Sequence, residues 1–108
     1  MKRFGWVAQI KPDQYAEYKR LHADVWPDVL KMITACNLRN YSIYHKGGCL
    51  FTYVEYIGED FAADMAKMAA DPTTQEWWAL VVPMFKGADE QIAGGGVWAD
   101  MEEIFHLD

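Results

Sequence analysis

Residues Asn37 to Ile57 read NLRNYSIYHKGGCLFTYVEYI, and the rest of the chain can be arranged around them. Tyr41 and Ile43 alternate with Ser42 and Tyr44, the period-two pattern of a strand. Lys46-Gly47-Gly48 then interrupts with two residues that accept positive φ, which predicts a tight hairpin. Cys49 to Ile57 is the returning strand. Leu50, Thr52, Val54 and Tyr56 fall on one of its faces, and Phe51, Tyr53, Glu55 and Ile57 on the other. Both faces are largely apolar, so both predict burial.

Upstream, Arg3 to Ile10 alternates Phe4, Trp6, Ala8 and Ile10 against Gly5, Val7 and Gln9, a further strand. Pro12 is a favoured first helical residue and opens a helix running to His22, with Tyr15, Tyr18 and His22 spaced by three and four. Trp26 precedes Pro27 and is pushed from helical angles, so the helix is interrupted there. A second helix runs from Pro27 to about Cys36. Downstream, Glu59 to Ala70 reads as a helix, Asp71-Pro72-Thr73 as a break, and Thr73 or Thr74 as the cap of a helix to about Phe85. Lys86 to Gly96 is the longest loop, and Val97 to Leu107 is the last strand. The order is β-α-β-β-α-β with each α segment in two pieces, an α+β ferredoxin-like arrangement. With no repeat and no linker, residues 1–108 are expected to form a single domain. Helices cover only one face of such a sheet. A second subunit packing sheet to sheet would cover the other, so a homodimer of the dimeric α/β-barrel type is expected.

Composition narrows the function. Hydrophobic residues make up 52% and charged residues 24%, which a packed core accommodates and a disordered chain does not show. The net charge is −6, with ten Lys and Arg scattered among sixteen Asp and Glu. That argues against nucleic acid and against an anionic membrane surface as partners. Cys36 and Cys49 form no CxxC pair and are expected as buried free thiols. No apolar run reaches the ~18 residues of a membrane span, and the first residues enter a strand pattern without a leader. A cytoplasmic protein is expected.

Few residues carry chemistry. His22 is the side chain suited to proton transfer near neutral pH, and Tyr18, four residues earlier, shares its helix face. Trp77 and Trp78 point about 100° apart on a helix, so one ring can pack inward while the other lines a cavity. Trp stacks on the C–H face of a sugar, and its N–H bonds hydroxyls. Tyr41 is a third candidate. Glu55 and Glu103 are acids on mostly apolar strands, where a carboxylate is paired, edge-exposed or functional. His22, His45 and His106 form no metal-binding pair, and there is no phosphate-binding loop or nucleophile elbow.

Together these stretches resemble the bacterial L-rhamnose mutarotases. They are Gln9-Ile10 with Pro12-Asp13, Glu17-Tyr18-Lys19-Arg20-Leu21-His22, Trp26-Pro27, Asn40-Tyr41-Ser42-Ile43-Tyr44, Val54-Glu55, Trp77-Trp78 and Glu103-Ile104-Phe105. The resemblance implies a dimeric ferredoxin-like fold with a sugar held between helices and sheet. It implies His22 as proton donor and Tyr18, Tyr41, Trp77 and Trp78 as substrate-binding residues. Asp24 stands where some members carry proline, and the Lys86–Gly96 loop has its own sequence, which leaves L-fucose and related sugars open as substrates.

Mutarotation needs an acid at the ring oxygen and a base at the anomeric hydroxyl, and no metal or cofactor. His22 is expected as the acid, with Glu55, Glu103 or a bound water as the base. Three rival readings fit the same fold: a cofactor-independent or haem-binding monooxygenase, a non-catalytic sugar-binding module, and a structural dimer.

Overall fold

The computed structural model describes residues 1–87 and 96–108. Its elements are β1 (Lys2–Gln9), α1 (Tyr15–His22), α2 (Pro27–Ala35), β2 (Leu38–Lys46), β3 (Cys49–Tyr56), α3 (Phe61–Ala69), α4 (Pro72–Val81), a 3-10 turn (Val82–Met84) and β4 (Ala99–Met101). The four strands form one antiparallel sheet in the order β2-β3-β1-β4. This is the ferredoxin-like arrangement expected from the element order.

The hairpin forms as its glycines predict. Lys46 pairs with Cys49, and Gly47 and Gly48 have φ of 59° and 81°, the two positive values that a two-residue turn requires. One irregularity interrupts β2. Arg39 pairs with Glu55 but Ser42 pairs with Tyr53, so two residues of β2, Asn40 and Tyr41, oppose Val54 alone. This is a β-bulge, and Asn40 adopts φ 50°, a left-handed conformation that asparagine tolerates.

The helices cover the face carrying Leu50, Thr52, Val54 and Tyr56, all buried. Two core clusters lie between the layers. One joins Ile10, Tyr18, Val29, Leu50, Trp77, Val81 and Phe85; the other joins Cys36, Leu38, Val54, Tyr56 and Met68. The outer face carries Tyr44, Phe51, Tyr53 and Met101, which remain substantially exposed.

Several boundaries differ from the sequence expectation. Pro12 to Gln14 form a turn, closed by Gln14 N–H donating to the Lys11 carbonyl, and α1 begins only at Tyr15. Asp71, and neither Thr73 nor Thr74, caps α4: its carboxylate accepts from the Thr74 N–H at 2.9 Å and the Thr74 hydroxyl at 2.8 Å, with Pro72 at the first helical position. Helix α4 ends at Val81 rather than Phe85, because Pro83 cannot donate to a continuing helix and Phe85 turns extended to bridge Ile10. The last strand shrinks to Ala99–Met101, which pairs with Gly5–Val7; Glu102 to Asp108 find no ladder partner and lie exposed. Cys36 is buried as expected, whereas Cys49 is half-buried. Most of the expected Lys86–Gly96 loop, residues 88–95, lies outside the described residues.

Candidate active site

Helix α1 presents Tyr15, Tyr18 and His22 along one face, and β2 answers from the sheet. Tyr15 stacks on His45 with ring centroids 3.8 Å apart, and a cavity of about 350 Å3 opens beside this pair, lined also by Ile10, Pro12 and Lys86. Further along α1, Tyr18 stacks on His22 at 4.0 Å and 27°. Tyr18 is only 4% exposed.

His22 is held on several sides. Its Nδ1 lies 2.7 Å from the Tyr18 carbonyl oxygen, an acceptor, so Nδ1 carries the proton. Nε2 is therefore the nitrogen left to exchange a proton with a ligand. The Trp77 ring meets the imidazole edge-on at 5.3 Å, and the Trp26 ring meets Trp77 at 5.2 Å and 75°. Burial lowers the His22 pKa below its ordinary 6.5, with the carbonyl bond opposing. The neutral imidazole is the resting form at pH 7.

Tyr41 comes from the other side. The bulge puts it on the same face as Ile43, toward α1, and it lies near enough to Tyr18 that a charge on Tyr41 raises the Tyr18 pKa further above 10. Burial is the main cause of that rise. Burial of the Tyr41 phenol oxygen pushes its own pKa up to about 12, although the residue as a whole is 38% exposed. Both phenols are protonated at neutral pH and able to donate.

The tandem tryptophans separate as their helical spacing predicts. Trp77 is 6% exposed and belongs to the core, while Trp78 is 37% exposed. His22 thus contacts both Tyr18 and Trp77, Tyr41 lies near Tyr18, and Trp78 stands apart. Glu55 and Glu103 do not join them. Glu55 accepts from Asn40 Nδ2 at 2.7 Å and from the Tyr53 hydroxyl at 2.6 Å; Glu103 takes both of its bonds from the Arg3 guanidinium, at 2.9 and 3.2 Å. These hydrogen bonds keep both carboxyls below the usual carboxylate range on the outer face, with the sheet between them and His22. Neither is placed to act as the base.

In the sequence Trp26 reads as a helix break and as part of the Trp26-Pro27 stretch that carries the resemblance, with no place in the site. Its role as the ring behind Trp77 was foreshadowed by Pro27, which holds Trp26 at ψ 132° at the start of α2. Phe85, edge-on to Tyr18 at 5.4 Å, and Trp98, edge-on to Phe85 at 5.5 Å, gave no comparable signal.

The family model for L-rhamnose mutarotase matches residues 3–107 of this chain. The chain belongs to the L-rhamnose mutarotase family. It is 33% identical to the L-rhamnose mutarotase of Bacillus subtilis strain 168, over 100% of both chains. It is 34% identical to that of Ligilactobacillus salivarius, over 98% of this chain and 97% of the relative. Among solved structures, the L-rhamnose mutarotase of Formosa agariphila superposes with a TM-score of 0.78 at 18% identity, covering both chains fully. The tetracenomycin F2 cyclase of Streptomyces glaucescens superposes at 0.66 with 14% identity, again over both full chains, which shows a shared fold. Membership favours an isomerase acting on a carbohydrate over the monooxygenase, binding-module and structural-dimer readings.

Proposed function

We propose that this chain interconverts the α and β anomers of L-rhamnose by acid/base ring opening, with His22 transferring a proton. The observation that carries the reading is the His22 imidazole. One nitrogen is fixed by the Tyr18 carbonyl, its faces are confined by Tyr18 and Trp77, and its second nitrogen is left for a ligand. Tyr18 and Tyr41 supply phenol donors for sugar hydroxyls, and Trp77 and Trp78 supply apolar surface for the ring and its 6-methyl. No step of the reaction calls for a metal or cofactor. An imidazole so positioned contributes about 100-fold to 10,000-fold to a proton-transfer rate.

The working unit in this proposal is a homodimer of single-domain subunits in a reducing cytoplasm. Tyr44 is 65% exposed on the outer face beside Phe51 and Tyr53, an apolar surface that sheet-to-sheet packing removes from water. Among the described residues no helix is long and apolar enough to cross a membrane.

The test is magnetic-resonance exchange between the anomeric protons of L-rhamnose, L-fucose and D-glucose, with and without the protein and with His22→Ala. Acceleration for L-rhamnose that His22→Ala loses supports the proposal. Acceleration for L-fucose alone changes the substrate, and folded protein without effect on any sugar refutes the reaction.

A further inference from the structure

We propose that the cavity beside Tyr15 and His45 is a second binding site, separate from the one built on His22, and that it takes a small organic monoanion: a ring-sized apolar body carrying one carboxylate. The inference stands apart from the mutarotase reading and does not rest on it.

Tyr15 and His22 are seven residues apart on α1, so the cavity lies about 10 Å along the helix from the imidazole. His22, Tyr18, Tyr41, Trp77 and Trp78 take no part in its lining.

Four segments of the chain meet there, and backbone bonds hold three of them together. The Ile10 N–H donates to the Gly48 carbonyl at 3.0 Å, the Lys86 N–H to the Gln9 carbonyl at 2.8 Å, and the Lys11 N–H to the Met84 carbonyl at 2.9 Å. These bonds fix the end of β1 to the hairpin on one side and to the stretch after α4 on the other. Helix α1 joins them through the stack of Tyr15 on His45, 3.8 Å between centroids and 17° between planes. A cavity with walls tied in this way is preformed, so a ligand loses little to ordering them.

The lining selects charge. Ile10, Pro12 and the Tyr15 ring make most of it apolar, and Lys86 and His45 bring the polar side chains. The Gly48 N–H donates to His45 Nε2 at 3.3 Å, so the neutral ring carries its proton on Nδ1 and offers a ligand a donor. The Lys86 ammonium is likewise a donor without acceptor capacity. Among the described residues no carboxylate lines the cavity. In a chain of net charge −6, a cavity whose formally charged residue is a lysine departs from the average surface. Two donors above an apolar lining complement an anion with an apolar body. A single ammonium balances a single negative charge, which favours a carboxylate over a phosphate dianion. A volume of about 350 Å3 is that of a small-molecule site and admits a ring with its substituent.

The probes are benzoate and its neutral counterpart benzyl alcohol, titrated at constant ionic strength into isotope-labelled wild type and Lys86→Ala and followed by magnetic resonance. The Lys86 side chain is exposed, so its removal leaves the core intact. The expected result is that benzoate shifts the Gly47 and Gly48 amide signals and the His45 ring signals saturably, with Kd on the order of 1–10 mM. Lys86→Ala should weaken benzoate about fivefold and leave benzyl alcohol unchanged. Benzyl alcohol binding wild type as tightly as benzoate takes charge out of the recognition and overturns the proposal. A response at Gly47 and Gly48 that never saturates overturns it too, as do benzoate shifts centred on the His22 ring and the Trp77 indole instead.

Discussion

His22 Nδ1 lies 2.7 Å from the carbonyl oxygen of Tyr18, one helical turn earlier, and this single bond orients the imidazole, fixes its tautomer and leaves one nitrogen for chemistry. A backbone carbonyl oxygen carries two lone pairs, so the Tyr18 oxygen can accept the imidazole N–H in addition to its helical bond, the i−4 back-bonding that a side chain one turn later can reach.

The same residue makes stability depend on pH. Burial lowers the folded-state pKa of His22 below 6.5, so the unfolded chain takes up a proton that the folded chain resists. The stability from this group is fully present above about pH 6.5 and is lost as pH falls through the folded value. Chemical denaturation of wild type and His22→Gln at pH 8 and pH 5 checks this. The wild type should lose more stability between the two, because glutamine removes the titration.

Trp77 and Trp78 should separate stability from binding. Trp77 fills the core against His22 and Trp26, and Trp77→Ala should cost about 3–5 kcal/mol in denaturant unfolding. Trp78 is largely outside that packing. Trp78→Ala should shift Tm by no more than a few degrees while raising KM several-fold, as expected of a ring that touches sugar.

The cap of α4 should matter for stability alone. Asp71 satisfies the Thr74 N–H and hydroxyl at the start of the helix that carries Trp77. Asp71→Ala should lower stability by about 0.5–2 kcal/mol in thermal unfolding, with anomeric exchange retained at temperatures where the protein stays folded.

The outer sheet face should govern assembly. Phe51→Lys and Tyr44→Lys place a charge on an exposed surface, so neither should disturb the helix-side core. Sedimentation equilibrium should show a dimer for wild type and half that mass for Phe51→Lys, with helical circular dichroism unchanged. Wild type sedimenting as a monomer refutes the dimer.

Much of the architecture was legible in local pattern. The alternation of β3 assigned its two faces correctly, Gly47-Gly48 announced the turn, and Trp26-Pro27 marked the break between α1 and α2. Errors gathered at element ends. The 3-10 turn at Pro83 depends on what the chain meets next, Phe85 bridging Ile10, and β4 pairs only with Gly5–Val7 although β1 runs from Lys2 to Gln9.

The sequence by itself determined the order of elements and brought Tyr18 and His22 onto one helix face, because helical and strand periods depend only on neighbours along the chain. Tertiary structure alone decided that Leu38 and Ile43 share a face, that Glu55 and Glu103 are spent outside the site, and that Trp26 backs Trp77. The reason is register. A bulge is defined only against its partner strand, and that pairing, with the ring contacts between separate helices, exists only after distant segments have come together.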